Sequence, residues 1–324
     1  MPYLSMAIGD STRKTYSSGV RSYSEFLSDN RLTPAFPATV EDLCLWVSDL
    51  ASRTPPLTIG TIRVYLAAVF TRHAELGYHH PLRDAPPILD RILLGIKRLA
   101  EQPHKKPKLP ITTRLLREMS SHVALSSPGD CLLWAMMWLA LSGLLRISEF
   151  TVKGVDDADR LLRISQLWFI TRDNARVASS APHLPYASLQ YAVLHLDASK
   201  TDPFRVGTDI IIASPSALQA LIAYLALRSH DTRGAHAPLF SVNGTVPITR
   251  GWFMTRVYIL LRRIGLNPTL YSSHSFRKGG AVSLQERGVP DSVLRKVGRW
   301  KSDAFHSYVR DASLETLVAA SQLL

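Results

Sequence analysis

Apolar residues recur at helical spacing in four blocks within the first hundred positions of the chain. In the first block, steps of four, three and four place Tyr16, Val20, Tyr23 and Leu27 on one face of a helix. Helices with one apolar face bury that face against a neighbour. The four blocks therefore predict a small helical bundle.

The other three blocks carry start or stop signals. A helix is predicted to begin at Thr39, with Asp42 completing a variant of the capping box. The next is predicted from about Thr58 to Gly77, a residue type that commonly ends helices. The fourth is predicted to start near Pro86 and repeats isoleucine at steps of four. Its isoleucines are Ile88, Ile92 and Ile96.

The pattern changes in the second part of the chain. A helix is predicted to begin at Leu115, and the apolar run over residues 131–145 predicts a helix buried nearly all round. The strings YAVLHLDASK and FRVGTDIIIA alternate around a turn, which predicts a β-hairpin with Lys200 close to its tip. Ser214 and Pro215 form a helix-start pair, and helices are predicted for most of the remainder.

A proline- and lysine-rich segment separates the two patterns. The string EQPHKKPKLPIT, over residues 101–112, has no apolar period and is typical of a linker. A chain of 324 residues is long enough for about two domains. We therefore predict a helical domain over residues 1–103, a basic linker over 104–111, and a mixed α+β domain with a small antiparallel sheet over 112–324.

The charge balance indicates a polyanionic partner. Lys and Arg number 38 against 26 Asp and Glu, which gives a net charge of +12. Residues 250–310 alone contain twelve Lys or Arg and three Asp or Glu, a local net charge of +9. Charge by itself fits a solvated basic face equally well. If the partner is a polyanion, it is expected to meet the second domain.

Composition excludes several classes of protein. With 46% hydrophobic and 20% charged residues, the chain is typical of a globular protein. Cys44 and Cys131 form no C-x-x-C pair, which excludes a disulfide framework and a zinc cluster built from thiols. The longest apolar run is shorter than the roughly 20 residues that cross a bilayer, and no secretory signal is visible. We expect an intracellular protein, nuclear if the host is a eukaryote, with no metal and no membrane partner.

Six residues of the second domain supply the groups that a metal-free transfer of a phosphodiester requires. In chain order they are Arg146, Lys200, His274, Arg277, Trp300 and Tyr308. Each alone has an ordinary explanation, such as a helix-end ion pair or a place in the core. Together, the arginines, the histidine and the indole can bind phosphate oxygens, the lysine can protonate a leaving oxygen, and the tyrosine can attack phosphorus.

The strings that carry these residues resemble the tyrosine recombinases, the superfamily of phage-type integrases and Cre-like enzymes. The strings are LLRISEF, SKTDPFRVG, HSFR and GRWKSDAFHSYVR. They match the family at Arg146, Glu149, Lys200, His274, Arg277, Trp300 and Tyr308. The match covers roughly residues 112–311. Trp300 and the strings SKTDPFR and AFHSYVR are closest in pattern to the DIRS-like and Crypton-like recombinases of mobile elements.

The resemblance implies a mainly α protein, with a SAM-like helical core-binding domain followed by an α+β catalytic domain that ends in a short helix. It implies a site-specific recombinase that cuts and rejoins DNA through a 3′-phosphotyrosyl intermediate, without metal, ATP or another cofactor. Tyr308 would be the nucleophile, Lys200 the general acid and Glu149 the residue that orients Arg146 or its neighbours. The scissile phosphate would be held by Arg146, His274, Arg277 and Trp300.

The resemblance also implies the partners. They would be double-stranded DNA with paired recombination sites and further copies of the chain, as a tetramer in the synaptic complex, with a monomer as one option for the free protein. The terminal apolar residues Leu314, Leu317 and Val318 would dock on a neighbouring subunit or on their own domain. Basic residues of the linker and near the tyrosine are predicted to contact DNA: Lys105, Lys106, Lys108, Arg295, Lys296, Arg299 and Lys301.

Two alternatives stay open at this stage. A DNA-binding protein derived from a recombinase would keep the basic surface and no longer cut. A type IB topoisomerase-like enzyme would cut and reseal one strand without exchange. The sequence does not identify the target site, nor whether the outcome is integration, excision or inversion.

Overall fold

A computed structural model describes residues 7–32, 34–99, 107–154, 161–181, 186–197, 206–228 and 234–300. The chain divides into two compact units, Met1–Lys105 and Lys106–Leu324. Both cysteines are unpaired, and no helix within the described ranges is long and apolar enough to span a membrane. The mainly helical architecture with a small antiparallel sheet confirms the predicted fold class.

The described residues of the first unit form four helices, as the apolar pattern predicts. They are α1 (Asp10–Asp29), α2 (Val40–Ser52), α3 (Ile59–Glu75) and α4 (Ile88–Leu99). The predicted helix starts at Thr39 and Thr58 are confirmed: each residue is an N-cap whose hydroxyl accepts the backbone N–H three residues later. Gly77, in the left-handed conformation, follows the end of α3. The core forms around Trp46, which is fully buried.

Two packing details of this unit depend on single residues. A Cβ atom at Gly19 of α1 would lie 3.0 Å from Cβ of Ala68 on α3, so the two helices approach too closely for a larger residue. Helix α4 buries Leu89 and Leu93, whereas Ile88 is 48% exposed. The isoleucine repeat therefore lies beside the centre of the buried face of α4.

The described part of the second unit combines helices with a four-stranded sheet. Its helices are α5 (Thr113–Met119), α6 (Pro128–Ser142), α7 (Ile147–Phe150), α8 (Pro215–Leu227), α9 (Arg250–Arg263), α10 (Ser275–Gln285) and α11 (Asp291–Gly298). Its strands are β1 (Leu167–Thr171), β2 (Arg176–Ala178), β3 (Leu189–Leu196) and β4 (Thr208–Ile212). Short 3₁₀ turns occur at Ser120–His122, Ile164–Gln166, Tyr186–Ser188 and Pro268–Leu270.

The sheet is antiparallel, with the strand order β2-β1-β3-β4. Strands β3 and β4 pair from Ala192 with Ile212 to Leu196 with Thr208, which confirms the two strands of the predicted hairpin. Its tip, including Lys200, lies outside the described residues. Helix α6 is buried along almost its whole length, as the apolar run over 131–145 predicts.

The segment just before α5 belongs to the second unit. The N–H of Leu109 donates to the carbonyl of Leu270 at 2.8 Å, and the N–H of Ile111 donates to that of Ser275 at 2.9 Å. Ile111 is fully buried, and a Cβ atom at Gly279 of α10 would overlap its backbone. The last residues of the expected linker 104–111 are therefore fixed against the start of α10.

Candidate active site

Glu149 is the centre of a buried ion-pair cluster in the second unit. It lies in the single turn of α7, whose N-cap is Arg146. One carboxylate oxygen accepts from Arg146 Nη1 at 2.9 Å, and the other accepts from the Arg146 backbone N–H at 2.8 Å. The Glu149 side chain is 3% exposed. This geometry fixes the direction of the Arg146 guanidinium.

Arg299 is the second partner of Glu149. Its Nη2 donates to Glu149 Oε2 at 2.9 Å and to the carbonyl of Leu144 at 3.3 Å. Burial lowers the pKa of Arg299, while the neighbouring Glu149 opposes that shift. The side chain is 12% exposed. Arg299, which the sequence predicts to contact DNA, directs its guanidinium towards Glu149 and Leu144 in the structure, and its contact with DNA stays a prediction.

Arg277 lies in the interior beside this cluster. It is 1% exposed, and its guanidinium donates to the carbonyls of Leu144 and Gly298. Leu144 has a left-handed backbone, with φ +45°, and its carbonyl accepts from Arg277 and from Arg299. One strained residue thus connects two of the arginines.

Trp300 covers the Arg277 guanidinium. The Arg277 Cζ atom lies 4.5 Å from the centroid of the indole, a cation–π distance. Helix α11 ends at Gly298, and Arg299 follows in the left-handed conformation with φ +57°. A Cβ atom at Gly298 would overlap the indole, so Trp300 lies directly against the end of α11.

His274 lies at the entrance to the same helix that carries Arg277. It is exposed and occupies the N-cap position of α10, and its backbone N–H donates to Ser272 Oγ at 3.3 Å. Arg250, at the start of α9, donates to Ser273 Oγ at 3.1 Å. No sequence signal singles out Arg250, because its position beside the His274 loop depends on the tertiary fold.

The remaining predicted residues divide into two groups. Lys108 and Lys296 are exposed, Arg295 is half-buried, and the Lys108 ammonium donates to the carbonyl of Thr269. The other predicted residues lie outside the described part of the chain: Lys105, Lys106, Lys200, Lys301 and Tyr308. The terminal residues Leu314, Leu317 and Val318 also lie outside it.

The cluster suits the binding of an oxyanion. The guanidinium groups of Arg146 and Arg299 both donate to the carboxylate of Glu149, and Arg277 shares the carbonyl of Leu144 with Arg299. Arginine forks match phosphate oxygens in geometry and charge. Within the described ranges, no group of three or more His, Cys, Asp or Glu residues is arranged to hold a metal ion. The described arginines offer positive charge and N–H donors of the kind that bind phosphate oxygens.

Gly298→Ala is expected to slow cleavage of a phosphodiester roughly a hundredfold. The added methyl group would displace the Trp300 indole from Arg277, and loss of one preorganised donor costs about that factor. The measurement is the single-turnover rate of DNA cleavage by purified protein.

Gly251→Ala is the matched control, because a Cβ atom there would contact only Thr249 Oγ1, at 3.9 Å. The reductions in cleavage rate caused by Gly298→Ala and Trp300→Ala are expected not to add in the double variant. The first substitution displaces the indole from Arg277 and the second removes it, so both abolish the same contact. Additive losses would contradict the proposed contact.

Comparisons with known proteins agree with this fold. No family profile matches the chain. An integrase/recombinase xerD homolog of Selenomonas ruminantium is 23% identical over 327 residues, which cover 94% of this chain and 83% of that protein.

Solved structures resemble the chain over nearly its whole length. The Tn1549 transposon integrase bound to circular intermediate DNA superimposes with a TM-score of 0.52 and 16% identity, covering 96% of this chain and 98% of that one. The XerH site-specific recombinase in a post-cleavage complex with palindromic difH substrate gives a TM-score of 0.59 and 13% identity, covering 95% and 78%. At these identities the likeness establishes the fold.

Proposed function

We infer that the chain is a member of the tyrosine recombinase/integrase superfamily and that it is an enzyme that breaks and rejoins DNA at specific sites. The observation that carries this function is the buried cluster of Arg146, Glu149 and Arg299 beside Arg277, in a chain with the recombinase fold. The relatives described above are integrases and recombinases, and the solved ones are bound to DNA.

The described residues support the binding part of the reaction. Arg146 and Arg277 bring positive charge to the site, and Glu149 holds the first of them in place. As charge accumulates on the phosphate oxygens in the transition state, such fixed donors stabilise it more than they stabilise the bound substrate. His274 and Trp300 would add N–H donors at the same oxygens.

The chemical steps rest on two residues that the sequence motifs identify. In the proposed reaction, the hydroxyl oxygen of Tyr308 attacks phosphorus, forms a 3′-phosphotyrosyl bond and releases its proton to water. The bond to the 5′ oxygen breaks, and Lys200 donates the proton that this oxygen takes up. Attack by another 5′ hydroxyl reverses the sequence and rejoins the strands.

The decisive experiment captures the covalent product from DNA of unknown sequence. Purified protein is incubated with fragmented DNA of its own genome, denatured, and the strands left covalently bound are sequenced. A shared sequence around the attached 3′ ends is the expected result. Absence of any adduct, with DNA binding retained, would instead support a recombinase-derived binding protein without cleavage activity.

A plasmid assay separates recombination from topoisomerase activity. Exchange that requires two copies of the captured site is expected for a recombinase. Relaxation of a plasmid without the site would indicate a type IB topoisomerase-like enzyme. The same assay, with sites in direct or inverted orientation, determines whether excision or inversion is the product.

DNA binding is expected to weaken steeply with salt. A protein that contacts roughly six to ten phosphates loses about a thousandfold or more in affinity between about 50 and 200 mM salt, because binding releases condensed counterions. The local net charge of +9 over residues 250–310 motivates this expectation. Affinity is measured by fluorescence anisotropy, and an affinity that does not change with salt would contradict an electrostatic DNA interface.

The finer assignments are proposals from the sequence motifs. We propose that a tetramer assembles on paired sites, with the short C-terminal helix docked between subunits, and that linker lysines including Lys108 follow the DNA backbone. A placement among DIRS-like or Crypton-like recombinases rests on Trp300 and its neighbouring strings alone, and the relatives described above give it no support.

A further inference from the structure

Arg299 occupies a backbone position that is costly for an arginine. It follows the last residue of α11 in the left-handed conformation, with φ +57° and ψ +42°. Glycine is the usual residue there, because any Cβ atom adds steric strain. Strained residues of this kind persist where the surrounding structure holds them and are concentrated at functional sites. The side chain of Arg299 is therefore the feature to explain.

The Arg299 side chain connects two distant parts of the second unit. Its Nη2 atom donates to Glu149, 150 residues earlier in the chain, and to the carbonyl of Leu144. Its Nε and Nη1 atoms are buried without a hydrogen-bond partner among the described residues. A guanidinium with unused donors is expensive to bury. The hydrogen bonds to Glu149 and Leu144 therefore offset the cost of burying the Arg299 guanidinium.

The contact with Glu149 also affects Arg146. One Glu149 carboxylate binds both guanidinium groups, at 2.9 Å each, through different oxygen atoms. Among the described residues, Arg146 would be the remaining charged donor to this 3% exposed carboxylate without Arg299. Glu149 Oε2 would then keep the Arg146 backbone N–H as its donor, so the carboxylate and the Arg146 guanidinium would be held less firmly than with both arginines in place.

We propose that Arg299 is a positioning residue that acts through Glu149. Its guanidinium helps to fix the carboxylate that orients Arg146. Because Arg299 directly precedes Trp300, the same contact also links the backbone next to Trp300 to Glu149. This inference rests on the proposed function. It explains why an arginine occupies a left-handed turn that by itself favours glycine. The contact also joins the end of α11 to the turn of α7.

Three substitutions distinguish the effect of the Arg299 guanidinium on cleavage from the effect of the left-handed turn. Arg299→Ala and Arg299→Gly both remove the guanidinium, but only glycine relieves the backbone strain. Both are expected to slow single-turnover cleavage by roughly ten- to a hundredfold, the factor associated with one charged hydrogen bond. Arg299→Lys keeps one charge without the fork geometry, so its rate should lie between those of wild type and Arg299→Ala.

The rates are measured with saturating protein on a nicked substrate that traps the covalent adduct. DNA affinity and urea unfolding are measured for the same variants, so that a loss of folded or bound protein is not mistaken for a slower step. Arg287→Ala, which removes an exposed charge outside the cluster, is the matched control and should cleave at the wild-type rate. Wild-type cleavage by Arg299→Gly would overturn the inference, because the turn alone would then be sufficient.

A double-mutant cycle tests the route through Glu149. In a Glu149→Gln background, Arg299→Ala should slow cleavage much less than it does in the wild-type protein, because the shared carboxylate is already gone. The same slowing in both backgrounds would overturn the proposed route. If the wild-type protein itself forms no adduct, the proposed function fails and this inference fails with it; an active wild type with an unaffected Arg299→Ala variant refutes this inference alone.

Discussion

Tyr308→Phe is expected to bind DNA like the wild-type protein and to form no covalent adduct. The substitution removes the attacking oxygen and keeps the aromatic ring, so the loss should be limited to the chemical step. The assay is a denaturing gel of the protein with a nicked, labelled substrate that traps cleaved strands. The wild-type protein should give a slowly migrating labelled band that protease treatment removes.

Tyr271 provides a matched control for this substitution. It is the nearest tyrosine in sequence to His274, but its side chain is buried, and burial together with the charge of Glu118 raises the pKa of its hydroxyl. A buried hydroxyl that resists ionisation is a poor nucleophile. Tyr271→Phe should therefore still form the adduct. An undiminished adduct in Tyr308→Phe would refute the nucleophile assignment.

The helices were largely predictable because their signals are local. Helices α2 and α3 start at their N-caps Thr39 and Thr58 as expected, and the apolar run from residue 131 forms the buried α6. Which residues of a helix are buried and which are exposed was less predictable. In α4, Leu89 is buried while Ile88 is exposed, because the position of the neighbouring helices selects the buried face.

The sheet was only half predictable. Strands β3 and β4 alternate clearly and lie on either side of an evident turn, whereas β1 and β2 were not identified from the sequence. Strand β2 has only three residues, Arg176–Ala178, none of them fully buried, so it carries no apolar alternation. It is a strand because β1 supplies its hydrogen-bond partners, and that information is not local.

In the candidate site too, contacts between neighbouring residues were predictable from the sequence and contacts between distant segments were not. Sequence spacing identified Arg146 with Glu149, and the structure places them in contact. The contact of Arg299 with Glu149 was missed, because a basic residue in a basic region normally faces solvent. Only the left-handed turn after α11 directs its side chain towards Glu149. Similarly, nothing in the string KKPKLPIT indicates that Ile111 bonds to Ser275, since the partner lies in a distant segment.

Lys200→Ala is expected to slow cleavage by roughly a hundred- to ten-thousandfold, the usual contribution of a general acid. The residue follows β3 in the chain, and β3 pairs firmly with β4: His195 and Asp209 are opposite each other, with 2.7 Å between Nδ1 and Oδ1. The pairing of the two described strands is made by residues other than Lys200. Removing its ammonium group should therefore affect chemistry without unfolding the sheet.

A substrate with a 5′-thio leaving group distinguishes proton donation from simple charge. A thiolate departs without being protonated, so this substrate should restore most of the lost rate to Lys200→Ala if the lysine is the general acid. Lys153→Ala, which removes an exposed lysine of the same unit, is the matched control and should be slow on neither substrate. If the thio substrate leaves Lys200→Ala as slow as before, Lys200 instead stabilises the phosphate by its charge, and the leaving oxygen takes its proton from another group.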